Sequence, residues 1–244
     1  MDPAAYLERL GCIFPARPDA QSLRRLHLAH LRCVPFENLD IHLGRPIRLL
    51  LPLQYDKIVG RRRGGFCYEL NGLFAWLLAS LGYRVELLSA RVYGPQGLGP
   101  ELDHLTLRVR GEGDWLADVG FGDSFLEPLP LAPGTPAAGY RLTEAAGQWT
   151  LHQQQAGGEW APQYLFSLRP HRLEDFAPAC LFHQTDPSSP FTCKRVCTLA
   201  TPQGRRTLSE LKLITTAGGS RHERLLAGEA EWREALRQHF GVVL

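Results

Sequence analysis

The chain has 244 residues, of which 44% are hydrophobic and 21% are charged. A hydrophobic fraction near the globular average excludes wholesale disorder and allows one or two domains with a sizeable core. The 27 basic and 25 acidic residues give a formal net charge of +2. That charge is too small to indicate binding to nucleic acid or to an anionic membrane.

Targeting and cysteine patterns point to a cytoplasmic protein. No apolar run approaches the roughly 18 residues that a membrane-spanning helix needs. The first residues, MDPAAYLERLG, include an acid at position 2 and lack the apolar region of a secretory signal. Six cysteines spread over this length do not form a disulfide framework, and their spacing predicts no metal site. We therefore expect free thiols in a reducing compartment.

The first third of the chain has helical periodicity. The pattern predicts a helix over residues 3–10 and a second helix that Asp19 caps and Pro35 stops. A third helical piece begins near Pro52, and a fourth helix spans about residues 66–81. His27 and His30 lie three apart on the second helix. We interpret them as surface or hydrogen-bonded side chains, because no further metal ligand is evident.

From residue 83 the pattern changes to short β-rich runs separated by Gly and Pro turns, which predict an antiparallel sheet or a small barrel. These runs are 84–92, 104–109, 115–119, 140–142 and 149–153. Residues 130–139 predict a loop, and residues 171–190 predict a short helical piece followed by a second loop. The remaining predicted elements are strands at 196–200, 207–208 and 211–215 and a helix near 229–240.

Cys67 stands at the start of the fourth predicted helix, separated from Gly64 and Gly65 by Phe66 alone. The unpaired N–H groups and the dipole at that end favour negative charge, so they stabilise a thiolate, which is the nucleophilic form. A small buried core cysteine is the alternative, and it is the commoner case for a cysteine without partners. We interpret the arginine run at 61–63 as a solvated helix end rather than a phosphate site.

His104 and Asp118 could supply a base for that cysteine. If the strands at 104–109 and 115–119 form a hairpin centred on Gly111, His104 lies opposite Asp118, with Cβ atoms roughly 5 Å apart. The carboxylate would then fix the tautomer of the imidazole and stabilise the imidazolium, which in turn would stabilise a thiolate. A cross-strand His–Asp pair that only satisfies a hydrogen bond is the alternative.

Two glycines flank an aromatic residue just after Asp118, in Gly120-Phe121-Gly122. Glycines let the backbone approach a ligand closely and offer N–H groups to an anion. A tight turn that leaves the strand is the alternative reading of this motif.

These segments together resemble the arylamine N-acetyltransferase family. The matching stretches, in the order of the family, are PFENLD (35–40), GRPIRL (44–49), RGGFCYELNG (63–72), DHL (103–105), DVGFG (118–122) and PSSPFT (187–192). The resemblance implies an α+β fold with a cysteine-protease-like catalytic core. Its implied parts are an N-terminal helical bundle over 1–84, a central antiparallel β-barrel over 85–180 and a C-terminal α/β lid over 181–244.

The resemblance also implies an activity and a catalytic triad. An acetyl group would pass from acetyl-CoA, through an acetyl-cysteine, to the nitrogen of an arylamine, arylhydrazine or N-hydroxyarylamine by a ping-pong mechanism, with no metal. Cys67 would be the nucleophile, His104 the base and Asp118 its orienting acid. The oligomeric state, monomer or homodimer, stays open.

Binding residues follow from the same resemblance. Phe36 and Phe121 would form walls of the acceptor pocket. The expected coenzyme A contacts are Gly120, Gly122, Ser124, Phe191 and Thr192. Asp123 follows the glycines and would bring a negative charge next to this polyanionic cosubstrate.

Three other functions compete with this one. An amide synthase of the same family, acting in antibiotic biosynthesis, would keep the triad and close a macrocycle. A thiol hydrolase of the transglutaminase or papain type would pass the acyl group to water. A binding module that kept only the fold would need none of the three triad residues.

Overall fold

A computed structural model describes residues 1–15, 17–134 and 136–244. The first third contains the helices α1 (Pro3–Leu10), α2 (Ala20–Cys33), α3 (Leu39–His42), α4 (Leu51–Tyr55) and α5 (Cys67–Ser80), the short strand β1 (Phe36–Glu37), and a π-helical turn over Asp56–Gly60. The predicted helices of this region are confirmed. Asp19 caps α2 as expected, because its side chain accepts a hydrogen bond from the Ser22 N–H.

The middle of the chain forms an eight-stranded antiparallel sheet. Its strands are β2 (Arg84–Gly94), β3 (Gly97–Leu98), β4 (His104–Arg110), β5 (Asp114–Ala117), β6 (Leu129–Pro130), β7 (Tyr140–Ala145), β8 (Gln148–Gln154) and β9 (Trp160–His171). The main order is β6-β5-β4-β2-β9-β8-β7, and β3 pairs with β2. The sheet curls into a near-closed barrel whose apolar interior includes Leu116, Phe125 and Phe166.

The sequence patterns miss β9, which is the longest strand at 12 residues. Prolines weaken a strand prediction because they cannot donate to the ladder. Pro162 and Pro170 lie next to the two places where the register shifts, opposite His152 and Leu88. The irregular pairing therefore accommodates the prolines. The predicted loop at 130–139 includes Thr135, which lies outside the described residues.

The hairpin of β4 and β5 has a different register from the predicted one. Leu107 pairs with Ala117 and Arg110 pairs with Asp114, so the turn is centred on Glu112 and not on Gly111. The predicted pairing of His104 with Asp118 is therefore wrong by two residues. Because side chains alternate with a period of two, an even shift keeps these two side chains on the same face of the sheet.

The last part of the chain adds a second sheet. After a 3₁₀ turn (Leu173–Phe176) come α6 (Ala177–Thr185), α7 (Pro190–Cys193), β10 (Val196–Thr201), β11 (Gly204–Ser209), β12 (Lys212–Ala217), β13 (Ser220–Leu225) and α8 (Glu229–Phe240). The strand order is β1-β10-β11-β12-β13. The sequence patterns miss β13, because all its side chains are exposed and give no apolar alternation.

The second sheet connects the two ends of the chain. β1 pairs with β10, with Phe36 opposite Thr198, so a strand from the predicted helical part belongs to the C-terminal sheet. α6 begins before the predicted boundary at residue 180 and ends after it. The division into 1–84, 85–180 and 181–244 stays a prediction. None of the helices that the structure describes combines the length and apolarity needed to cross a bilayer.

A cluster of buried charges lies beneath the start of α5. The Arg63 Nη2 atom is 2.7 Å from Glu37 Oε1 and 3.0 Å from Asp40 Oδ1. The Lys57 Nζ atom is 2.8 Å from Asp40 Oδ2 and 2.9 Å from Glu69 Oε1. Glu69 also accepts the Phe66 N–H, at 3.2 Å, so the cluster is attached to the first turn of the helix that carries Cys67.

This cluster corrects the interpretation of the arginine run. Arg61 and Arg62 are exposed, as predicted for a solvated segment, but Arg63 is only 2% exposed and its charge is paired inside the protein. A charge run is usually solvated, so nothing in the local pattern singles out its third member. The acids that bind Arg63 are 23 and 26 residues away in the sequence.

Replacing Arg63 by methionine is expected to lower the free energy of unfolding by about 3–5 kcal/mol, because removal of one partner leaves Glu37 and Asp40 buried with too little positive charge. Urea denaturation measures this loss. Arg61→Met is the matched control from the same run, and its exposed side chain should change stability by no more than about 0.5 kcal/mol. Equal losses in the two variants would contradict the assigned role of Arg63.

Candidate active site

A cavity of about 760 Å³ is bounded by the start of α5, the β2–β4 region, the loop after β5, and α6 with α7. Its lining includes Phe36, Cys67, His104, Gly120, Phe121 and Phe191. The structure therefore brings most residues of the predicted site, from five separate stretches of sequence, to one cavity. Asp118 lies behind His104, and Gly122, Ser124 and Thr192 are not among the lining residues of this cavity.

His104 and Asp118 form a buried hydrogen-bonded pair. The distance from His104 Nε2 to Asp118 Oδ2 is 2.7 Å. A carboxylate only accepts, so Nε2 must donate and carries the proton when the imidazole is neutral. The remaining nitrogen, Nδ1, then has the lone pair. This tautomer is the one that a base acting through Nδ1 requires.

Four donors converge on the carboxylate of Asp118. Oδ1 accepts from Asn71 Nδ2 at 2.8 Å and from the Gly120 N–H at 3.0 Å. Oδ2 accepts from His104 and, at 3.1 Å, from the Tyr164 hydroxyl. Burial by itself would raise the pKa of Asp118, but His104 and these hydrogen bonds outweigh burial and lower it. Asp118 is therefore held as a carboxylate.

Close packing of glycines positions Cys67. A Cβ atom on Gly64 would lie 2.0 Å from the Pro35 carbonyl oxygen, so only glycine lets this segment pack against β1. A Cβ atom on Gly120 would lie 2.8 Å from the Cα of Cys67. The segment that follows Asp118 thus lies directly against the start of α5, which puts the cysteine beside the residues of the β4–β5 hairpin.

The electrostatic setting of Cys67 differs from that of an exposed helix start. Burial raises the pKa of the thiol well above its usual range, although a hydrogen bond from the Leu105 backbone opposes the increase. The helix dipole favours a thiolate, whereas burial acts in the opposite direction. The thiol therefore needs a nearby base that becomes positively charged as the sulfur becomes negative.

Two further residues complete this arrangement, and one of them, Tyr164, escapes a reading of the sequence. Tyr164 lies on β9, which the patterns do not predict, and its ring packs at 5.4 Å from the His104 ring. Asn71 lies one turn after Cys67 on α5 and connects three segments: Nδ2 donates to Leu105 O at 2.6 Å as well as to Asp118, and Oδ1 accepts the Val119 N–H at 2.9 Å. Its position on the Cys67 helix predicts a structural residue that bonds nearby backbone, and the structure adds the bond to Asp118.

Aromatic rings form two sides of the cavity. Phe121 meets the His104 ring edge-to-face at 5.1 Å, and Phe36 lies 6.2 Å from Phe191. The hydroxyl of Thr192 is already used, because it donates to the carbonyl oxygens of Asp186 and Ser189. The Ser124 hydroxyl is buried and has no hydrogen-bond partner among the described residues.

The charge of Asp123 is compensated. Its Oδ1 atom is 2.9 Å from Arg205 Nε on β11. The guanidinium of Arg205 also donates to the Thr198 hydroxyl at 3.2 Å. An anion near Gly120 and Gly122 therefore meets an ion pair and not an isolated carboxylate.

Known proteins are similar to this sequence over nearly its whole length. Residues 19–244 match the sequence model of a family described as N-acetyltransferase. The arylamine N-acetyltransferase of Mycolicibacterium smegmatis is 35% identical over 256 residues, which cover 100% of this chain and 93% of that protein. The chain belongs to the arylamine N-acetyltransferase family.

Other arylamine N-acetyltransferases agree in sequence and in fold. A pineal gland isozyme from Gallus gallus is 35% identical and aligns with 93% of this chain and 89% of its own length. The structure of the Salmonella typhimurium enzyme has a TM-score of 0.93 at 32% identity, covering 98% of this chain and 90% of that one. The structure of the Mycobacterium marinum enzyme in complex with CoA has a TM-score of 0.91 at 33% identity, covering 99% and 93%.

Membership in this family makes the protein an acyltransferase. The expected α+β class and the antiparallel barrel are confirmed by these structural similarities and by the sheet order. The roles of the individual site residues stay a prediction.

Proposed function

We propose that the protein transfers an acetyl group from acetyl-CoA to the nitrogen of an arylamine, arylhydrazine or N-hydroxyarylamine, by a ping-pong mechanism with an acetyl-Cys67 intermediate. The observation that carries this proposal is the buried His104–Asp118 pair, with its 2.7 Å hydrogen bond, on the wall of the cavity that also contains Cys67. The family of the chain and the CoA complex of the Mycobacterium marinum relative support the donor.

The first half-reaction moves the acetyl group to sulfur. The Cys67 thiol gives its proton to His104 Nδ1, and the thiolate attacks the thioester carbonyl carbon of acetyl-CoA. The carbon–sulfur bond to coenzyme A then breaks, and the departing thiolate takes the proton back from His104. Because burial opposes a lone thiolate, Asp118 contributes by stabilising the imidazolium that balances its charge.

The second half-reaction releases the acetyl group to nitrogen. An alkylamine with a lysine-like pKa of about 10.4 is protonated at neutral pH. An aromatic amine is largely unprotonated there, so the lone pair of the aromatic amine is free to attack the thioester. His104 removes the proton from the attacking nitrogen, which is general-base work that contributes roughly 10²–10⁴ in rate. The Cys67 sulfur leaves as the thiolate and takes this proton from His104, so the enzyme returns to its starting state with a thiol and a neutral imidazole.

The two substrates use the same cavity in turn. Phe36 and Phe121 offer aromatic faces to the ring of the acceptor. Gly120 and Phe191 line the cavity and are the better placed of the proposed coenzyme A contacts. For Gly122, Ser124 and Thr192 that role stays a prediction, and for Thr192 it would require the hydroxyl to exchange one of its present partners.

Incubation with acetyl-CoA in the absence of an amine tests the proposal directly. We expect intact-mass spectrometry to show one added acetyl group, peptide mapping to place it on Cys67, and coenzyme A release to stop after about one equivalent, as a ping-pong intermediate requires. Addition of an arylamine should then remove the acetyl group and restart release. Continuous release without an amine would favour a hydrolase, and an unmodified Cys67 would contradict the mechanism.

A further inference from the structure

His27, a side chain of α2 with no solvent exposure, hydrogen-bonds to both ends of one loop. Its Nε2 atom accepts the backbone N–H of Asp118 at 3.1 Å. Its Nδ1 atom lies 2.9 Å from the carbonyl oxygen of Leu126. One imidazole therefore bridges the start and the end of the segment 118–126, which we call the glycine loop.

The partners of His27 determine its tautomer. A backbone N–H only donates, so Nε2 must be unprotonated, and a carbonyl only accepts, so Nδ1 must carry the hydrogen. The bridge exists only for the neutral ring with its proton on Nδ1. Burial favours this form, since it lowers the pKa of His27 to about 4.

Aromatic packing holds the ring in place. The His27 ring stacks on Phe125 with centroids 5.7 Å apart and an interplanar angle of 8°. Phe74 on α5 meets its edge at 6.2 Å. Phe125 belongs to the glycine loop, so the stack adds a third contact between α2 and this loop.

The glycine loop supplies several parts of the proposed active site. It contains Asp118, the partner of His104, and Gly120, which packs against Cys67. It also contains Phe121, whose ring contacts His104. Asn71 binds the start of this loop through Asp118 and Val119, whereas the bond from His27 to Leu126 holds its far end.

We propose that His27 is a positioning residue for acyl transfer: by bridging Asp118 and Leu126 it closes the glycine loop and holds Asp118 against His104. The inference rests on the proposed function, because the orientation of Asp118 matters only if His104 acts as the base. The physical reason is that displacement of a catalytic group by about 1 Å is sufficient to cost about 10²-fold in rate.

Two substitutions at position 27 and one at position 30 test the proposal. His27→Leu removes both hydrogen bonds, whereas His27→Gln keeps one donor and one acceptor on a planar group. His30→Leu is the matched control. His30 is also fully buried on α2 and contacts Phe74, but it hydrogen-bonds to the Tyr6 hydroxyl and not to the glycine loop.

We expect His27→Leu to lower kcat/KM for acetyl transfer about 10²-fold, with the loss mainly in kcat. We expect it also to move the midpoint of Cys67 alkylation by iodoacetamide upward by about one pH unit, since the imidazolium of His104 loses part of the stabilisation by Asp118. His27→Gln should restore most of the lost kcat/KM and return the alkylation midpoint most of the way to the wild-type value. His30→Leu should lower the melting temperature and leave the alkylation profile of the folded protein unchanged.

The outcomes separate this inference from the proposed function. If wild-type Cys67 alkylates like an ordinary thiol, the proposed triad fails. Suppose instead that wild-type Cys67 is alkylated at a lower pH than an ordinary thiol. The positioning role then fails if His27→Leu has the same alkylation midpoint as the wild type, or if His30→Leu shifts the midpoint as much as His27→Leu does. Nitrogen-15 NMR of the wild-type ring adds a test without substitution, and a proton on Nε2 or a charged ring at pH 6 would overturn the bridge.

Discussion

Alanine at position 67 should reduce acetyl transfer by at least about 10⁴-fold, because the acyl group then has no covalent acceptor. Cys67→Ser should lose a similar factor, since burial already opposes ionisation of the thiol and a hydroxyl ionises far less readily. Colorimetric detection of released coenzyme A with an arylamine measures the rate, and circular dichroism verifies that each variant is folded.

The matched control for this prediction is another buried cysteine. Cys180 on α6 is also buried, and burial raises its pKa to about 12. Its sulfur contacts the Gln184 side chain, at 3.2 Å, and no imidazole is among its hydrogen-bond partners in the described part of the chain. We expect Cys180→Ala to keep the acetyl-transfer rate. Full activity in Cys67→Ala would contradict the covalent mechanism.

Asp118→Asn should lower kcat by about 10³–10⁴-fold although the substitution preserves shape. Two donors face each oxygen of the carboxylate, and an amide presents only one oxygen, so its NH₂ group must face donors in either orientation. The imidazole of His104 then loses both the acceptor that sets its tautomer and the charge that stabilises its protonated form. Steady-state kinetics measures the loss.

Two milder substitutions show whether the charge of Asp118 is the cause. Tyr164→Phe removes one donor and leaves the carboxylate and His104 in place, so it should cost far less than Asp118→Asn. Asp114→Asn changes an acid of the same hairpin that pairs with Arg108 at the surface, and we expect no more than a small effect. A rate for Asp118→Asn close to that of the wild type would show that the orienting acid lies elsewhere.

The proposed triad was predictable because its members carry local signals. Cys67 begins a helix after two glycines, His104 begins β4, and Asp118 directly follows β5 after an intervening turn. The predicted turn centre was wrong, but the register error was an even number of residues, so the prediction still placed both side chains on the same face of the sheet. The identity of these side chains could therefore be read without the exact register.

The surroundings of the triad were not predictable from local patterns. Tyr164 lies on β9, whose two prolines weaken a strand prediction. The local sequence does not distinguish the buried Arg63 from its exposed neighbours in the arginine run. His27 has the same local pattern as His30, and only the tertiary structure shows that one contacts the glycine loop and the other contacts Tyr6. These roles depend on partners that are distant in the sequence.

The amino-acid sequence alone determined the longer helices, most strands and the residue types of the proposed triad, because periodicity, caps and turn residues act over a few neighbouring positions. Only the tertiary structure shows that the thiol of Cys67 is buried and which residues hold His104 and Asp118. Burial raises the pKa of Cys67. Asp118 and His27 are also buried, so their hydrogen-bond partners are the groups of distant elements that pack against them, and no local pattern names those groups.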